Sequence, residues 1–182
     1  MSQIYVFLAD GFEEVEGLTV VDLLRRAELD VTMVSIMDTV EIIGAHGIVV
    51  SADKVFEEVN FDDVDMLVLP GGMPGTKHLA SHQGLAEKLK EFENANKMIG
   101  AICAGPMVLG MNGILDGKKA TCYPGFEDQL KGATVVTQPV VTDENVITSR
   151  GVGTAIEFGL AIIEHFLGVD VTKNIKDSII YE

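Results

Sequence analysis

Five short apolar runs divide this chain, and no charged residue interrupts any of them: Ile4 to Leu8, Val31 to Ile36, Met66 to Leu69, Met98 to Ile102 and Val146 to Thr148. Between the runs the periodicity changes. Val20, Leu23, Leu24 and Ala27 recur at helical spacing, and Leu85, Leu89 and Phe92 form a second stripe among lysines and glutamates. A strand that is apolar at every position is buried on both faces, which is the habit of parallel sheets. Alternation of such strands with helices therefore predicts an α/β fold. The expected form is a flavodoxin-like, doubly wound, mostly parallel sheet with helices on both faces. Val40 to Val50 reads as a hairpin around Gly44-Ala45-His46-Gly47, and Gly105 to Met111 as a short helix with Pro106 in its first turn. A long helix from Ala155 to Leu167 is expected to stop at Gly168. There is no internal repeat or linker, so residues 1–182 are read as a single domain.

Composition narrows the function classes. Thirteen basic residues against 28 acidic give a net charge of −15, which repels phosphate backbones and argues against nucleic acid as a partner. A hydrophobic fraction of 47% is ample for a core and argues against acidic disorder. Two cysteines, Cys103 and Cys122, make no disulfide framework. The run from Ile4 is too short for a signal segment, and Glu157, Glu164 and His165 interrupt the longest apolar candidate. A cytoplasmic protein without a membrane partner is the expectation.

In doubly wound sheets the chemistry lies beyond the carboxyl ends of the strands. The informative loops are then residues 9–17, 70–76 and 103–106. Ala101-Ile102-Cys103-Ala104-Gly105 runs a strand into a cysteine and then a helix, with small residues two positions to either side. That is the layout of a nucleophile elbow with cysteine in the serine position. A helix N-terminus there is expected to lower the pKa of the thiol. Asp10 to Glu16 carries four acids in seven residues. Glu13 and Glu14 read as a solvated helix start, whereas Glu16 faces elsewhere and could reach Cys103. Pro70-Gly71-Gly72-Met73-Pro74-Gly75 could present backbone N–H groups as an oxyanion hole.

Other features carry less. Gly151-Val152-Gly153-Thr154-Ala155-Ile156 approaches a dinucleotide fingerprint, but Ile156 replaces its last glycine and it comes too late in the chain. It reads as a helix N-terminus that brings Arg150 or Thr154 toward the site. His78 and His82 lack a third ligand, so no metal is expected, and Cys122 reads as structural on a short strand.

Taken together, four collinear blocks are similar to the ThiJ/PfpI superfamily, also called the DJ-one family. They are Gly11 to Glu16, Leu69 to Gly72, Ala101 to Pro106 and Thr148 to Thr154, and the similarity runs essentially end to end. The resemblance implies a homodimer with a reactive cysteine. It puts the nucleophile on Cys103, its carboxylic-acid partner on Glu16 and the oxyanion donors on the N–H groups of Gly72 and Ala104. Gly71, Tyr123, Arg150 and His46 become accessory candidates, with no cofactor. Two departures stand out. Ala104 occupies the position of a histidine in the protease branch, which argues against a Cys–His peptidase. Tyr123 stands where the human-like branch has a histidine, leaving proton transfer to Glu16, since tyrosine is a poor base near neutral pH.

Activities assigned in the family include glutathione-independent glyoxalase, deglycase, chaperone and peroxide-sensing functions. The leading expectation is processing of small reactive aldehydes, methylglyoxal to lactate, through a Cys103 hemithioacetal with Glu16 moving the proton. Glycated substrates form the related deglycase expectation. The rival is a peroxide sensor or redox-regulated chaperone that uses oxidation of Cys103.

Overall fold

The apolar runs become the inner strands of one sheet. The computed structural model of the chain describes residues 2–181. In chain order the elements are β1 (Gln3–Leu8), α1 (Glu14–Arg26), β2 (Asp30–Ser35), β3 (Glu41–Ile43), β4 (Val49–Ser51) and β5 (Lys54–Val55). Then come β6 (Val64–Leu69), α2 (Gly75–Ser81), α3 (Gln83–Asn94), β7 (Met98–Ile102), α4 (Pro106–Met111), β8 (Lys119–Ala120) and β9 (Thr134–Val135). β10 (Val140–Asp143), β11 (Val146–Ser149) and α5 (Ala155–Ser178) complete the order.

The main sheet has seven strands in the order β10-β11-β7-β6-β1-β2-β5. All its pairings are parallel except that of the edge strand β10 with β11. Side chains of a strand alternate between faces. Thus Ile4, Val6 and Leu8 of β1 enter one core with Val20, Leu24 and Phe158 of α1 and α5. Tyr5 and Phe7 enter the opposite core with Leu79, Leu85, Leu89 and Leu109 of α2, α3 and α4. Helices on both faces leave the strands no wet side, which is why the runs carry no charges.

The hairpin forms as expected, with β3 antiparallel to β4 in a small separate sheet. β5, β9, β10 and α2 were not expected from the sequence. The expected stop of the last helix also lies one segment early. Gly168 does break the helical geometry, at φ 82, but helix resumes beyond it to Ser178. The resulting segment Val152–Ser178 contains an 18-residue stretch of mean hydropathy 1.5, long and apolar enough by those measures to cross a membrane. Here its apolar face, with Phe158, Ile162 and Ile163, is buried in the core beside α1.

Crossover connections run in one direction from β1 to β2 and in the other from β6 to β7, so β1 and β6 flank the switch point of the sheet. The ends of β1, β6, β7 and β11 therefore open onto one crevice.

Candidate active site

Cys103 follows the last residue of β7 and takes φ 66, a backbone region that side chains rarely adopt. The turn is held by the Cys103 N–H donating to Ser149 O at 2.9 Å and the Tyr123 N–H donating to Cys103 O at 2.9 Å. The small flank is required: a Cβ on Gly105 would stand 2.7 Å from Leu69 O. A short strand-to-helix turn with a left-handed cysteine at its apex is the expected elbow.

Glu16, in the first turn of α1, is fully buried at 0% exposure. Its Oε2 accepts the Gly71 N–H at 2.9 Å, while Oε1 makes no hydrogen bond. A Cβ on Gly71 would lie 2.6 Å from Cys103 Cβ, 2.7 Å from Glu16 Oε2 and 3.0 Å from Cys103 Sγ. Only glycine lets these two side chains converge on the end of β6. The backbone N–H groups of Gly72 and Ala104 bond toward the Cys103 sulfur. Gly71 thus orients the acid, and the Gly72 and Ala104 amides act as donors toward the thiol.

Burial pushes the Glu16 carboxyl up to about 7, against the pull of the thiol and the Gly71 N–H. Burial, followed by the charge and hydrogen bond of Glu16, pushes the Cys103 thiol up to about 12, against the Ala104 and Gly72 donors. The expected lowering by a helix N-terminus is therefore reversed. α4 is six residues long and begins at Pro106, beyond the cysteine. Its dipole is outweighed by desolvation and by a neighbouring anion. Because the Glu16 charge raises the Cys103 thiol, the proton stays on sulfur while Glu16 is ionised, and the two groups can exchange it.

The two side chains line a cavity of about 590 Å³ with Glu13, Gly72, Ala104, Tyr123 and Arg150, among others. Tyr123 is 50% exposed at its wall. Val152, Gly153 and Thr154 also line the cavity. The Thr154 hydroxyl is occupied with Ser149 Oγ at 2.7 Å and the Gly151 N–H at 3.1 Å.

Two site expectations change. His46 does not line this cavity; its side chain is 66% exposed, and Nδ1 lies 2.8 Å from Glu14 Oε2. Glu14 is not a solvated helix start but a buried anchor, 3% exposed, whose Oε1 accepts the His46 N–H at 2.7 Å and the Ile48 N–H at 3.4 Å. Three hydrogen bonds from His46 and Ile48 outweigh burial and hold the Glu14 carboxyl down at about 2. The same bond to Glu14, aided by the charge of Glu13, raises the pKa of the His46 imidazole. Glu13, Glu14 and His46 bring donor atoms within 4.8 Å of one another, the one such three-residue grouping among the described residues. His78 and His82 form no such group; His82 instead caps α3, Nδ1 accepting the Leu85 N–H at 3.0 Å. Cys122 lies past the end of β8, buried in the core on the α2–α4 face. Burial raises its thiol to about 11.

The model of the DJ-1/PfpI family matches residues 2–165. Protein DJ-1 homolog B of Arabidopsis thaliana is 40% identical over 91% of this chain, which spans 38% of that plant protein's length. The Parkinson disease protein 7 homolog of Danio rerio is 35% identical, with 96% of this chain and 95% of that protein aligned. Among solved structures, oxidized DJ-1 of Toxoplasma gondii superposes with a TM-score of 0.96 at 35% identity, covering 100% of this chain and 99% of that one.

Proposed function

The chain belongs to the DJ-1/PfpI family, and on that premise we propose that it is a cysteine-dependent enzyme that converts small α-oxoaldehydes such as methylglyoxal to α-hydroxy acids without glutathione. One observation carries this reading. A nucleophilic sulfur and a fully buried carboxyl, one of its oxygens unpartnered, converge on one cavity. A structural carboxylate would have both oxygens bonded, since an unsatisfied buried acceptor costs about 1–3 kcal/mol.

The chemistry needs a base that can also return a proton. Cys103 gives its proton to Glu16, and the sulfur adds to the aldehyde carbon to form a hemithioacetal. The N–H groups of Gly72 and Ala104 stabilise the alkoxide that develops. With the alkoxide protonated, Glu16 in its carboxylate form removes the proton from the same carbon, leaving an enediolate with the negative charge on the former ketone oxygen. It returns that proton to the neighbouring carbon while the hydroxyl proton of the first carbon passes to the second oxygen, so that the first carbon is oxidised to a thioester and the second reduced to an alcohol. Water then cleaves the thioester, releasing the α-hydroxy acid and restoring the thiol. Burial that brings Glu16 to about 7 suits it to both steps. Deglycase-type hydrolysis of a glycated substrate would use the same residues.

The test is lactate formation from methylglyoxal in the absence of glutathione. Native protein should turn over, and Cys103→Ser should lose activity by a factor on the order of 10³ or more. Equal rates in the two proteins would exclude the mechanism.

A second reading, as peroxide sensor or redox-regulated chaperone, is favoured by the similar Toxoplasma structure, which is described as oxidized. Peroxide should then convert Cys103 to a sulfinate, and the oxidised protein should gain the ability to suppress aggregation of a client. We further propose a homodimer, supported by the exposed apolar side chains of Val15, Ile43, Ile48 and Val49 on α1 and the hairpin. Sedimentation equilibrium tests that assembly.

A further inference from the structure

The chain has three arginines, and two of them are paired on the surface: Arg25 with Asp53 and Arg26 with Asp22. The third, Arg150, lines the Cys103 cavity and makes no side-chain ion pair or hydrogen bond among the described residues. In a chain with 28 acidic and 13 basic residues, a guanidinium left without a carboxylate is out of keeping with its surroundings. Its neighbours point the same way. Arg150 directly follows β11, and the next residues turn into the N-terminal end of α5. There the Thr154 N–H donates to Gly151 O and the Gly151 N–H to Thr154 Oγ1, while Val152 and Gly153 donate to nothing among the described residues. A Cβ on Gly153 would meet nothing within 4 Å, so its Cα borders open space. Free amides at the start of a long helix favour an anion, and an arginine fork matches a carboxylate.

The cavity therefore carries two kinds of group: Cys103 and Glu16, whose buried Oε1 is unpartnered among the described residues, and Arg150 with Val152 and Gly153. Glu13 also lines it, and its carboxylate lies 3.6 Å from His46 Nδ1. Methylglyoxal has only a methyl group to offer Arg150.

We infer that the preferred substrate is an α-oxoaldehyde bearing a carboxylate at the end remote from the aldehyde, with Arg150 and the Val152 and Gly153 amides as its carboxylate subsite. This rests on the aldehyde reading above. The aldehyde carbon meets Cys103 while the tail carboxylate is held at the start of α5, fixing the carbon from which Glu16 takes the proton.

γ,δ-Dioxovalerate and its product α-hydroxyglutarate are suitable probes, with methylglyoxal and lactate as their tail-free counterparts. In the native protein kcat/KM for γ,δ-dioxovalerate should exceed that for methylglyoxal at least about tenfold, as one charge-assisted contact provides. That ratio should collapse toward one in Arg150→Gln and recover in part in Arg150→Lys, which restores charge without the fork. Calorimetric titration of resting protein should show α-hydroxyglutarate binding at least about tenfold tighter than lactate, with the difference lost in Arg150→Gln. Both variants should match the native protein in thermal unfolding, so that a lost ratio reports the subsite. Methylglyoxal turnover with a ratio near one and equal binding of the two products would overturn the carboxylate subsite and leave the aldehyde reading standing. No turnover of either aldehyde, with Arg150-dependent binding of α-hydroxyglutarate retained, would remove the aldehyde chemistry and keep the subsite.

Discussion

Glu14 and Glu16 stand two residues apart in the first turn of α1, and both are buried. Their environments drive them in opposite directions. The Glu14 carboxylate is wrapped by the His46 and Ile48 amides and the His46 ring, and it is held down at about 2. Glu16 has one amide, from Gly71, and the Cys103 thiol, its buried Oε1 is unpartnered among the described residues, and burial pushes it up to about 7. Burial alone raises a carboxyl, and the number of donors decides whether it stays raised. The saturated carboxylate secures the hairpin to the helix. The under-satisfied one is available for chemistry.

The largest effect that separates them is on turnover. Glu16→Gln keeps the shape and removes the exchangeable proton, so kcat with methylglyoxal should fall by a factor on the order of 10² to 10⁴. Glu14→Gln, outside the cavity, should retain kcat within about a factor of ten of the native value, the two orders of magnitude or more lost at Glu16 being the mark of a general acid–base group. Equal losses in the two variants would break the distinction between anchor and base.

Stability should reverse the ranking. Glu14→Gln can keep a carbonyl oxygen on the two backbone donors but loses the charge that strengthens them and binds the His46 ring, so denaturant unfolding near neutral pH should show a loss of about 1–3 kcal/mol. Glu16→Gln should be neutral or stabilising above about pH 7, because it removes a buried charge. Destabilisation by both would mean that Glu16 is an anchor as well.

The pH dependence sharpens the contrast. Glu14 has a folded pKa of about 2, below its ordinary 4.5, so its contribution is present above 4.5 and is lost as pH falls toward 2. Glu16 is raised from 4.5 to about 7, so the folded state binds the extra proton and stability declines as pH rises through that interval. In unfolding measured across pH, Glu16→Gln should flatten the upper window and Glu14→Gln the lower one. An unchanged profile in either variant would contradict the assigned shift.

The smallest effect concerns the thiol. Removing the Glu16 charge removes one cause of the raised Cys103 pKa, so alkylation of Cys103 by iodoacetamide at mildly alkaline pH should quicken several-fold in Glu16→Gln. Cys122, buried on the other face of the sheet, should remain slow in both proteins. Equal alkylation of the two cysteines in native protein would refute the elbow.

Local signals were legible where the cause was local. The small residues around Cys103, and the apolar runs of β1, β6 and β7, follow from contacts that any parallel sheet imposes. The edge strand β10 was not legible because Pro139 precedes it and its only partner is β11. Helix α2 was hidden behind the proline and glycine loop that precedes it. Glu14 was misread because helix-start acids are ordinarily solvated, and its partners are supplied by a hairpin 32 and 34 residues away. The free state of Arg150 had no sequence signal, since pairing depends on what the fold brings near.

By itself, the sequence determined the layer order, the end of the sheet where the candidate site lies and the cysteine at its strand-to-helix turn. Those depend on periodicity and on the steric demand for small residues at a tight turn, both readable within a few positions. Only the tertiary structure decided that Glu14 is a buried anchor rather than a solvated helix start, that His46 serves Glu14 rather than the cavity, and that burial raises the thiol instead of lowering it. A pKa is set by all the donors, charges and water around a group, and here those arrive from α1, the hairpin, the Gly71 loop and the β7 turn at once.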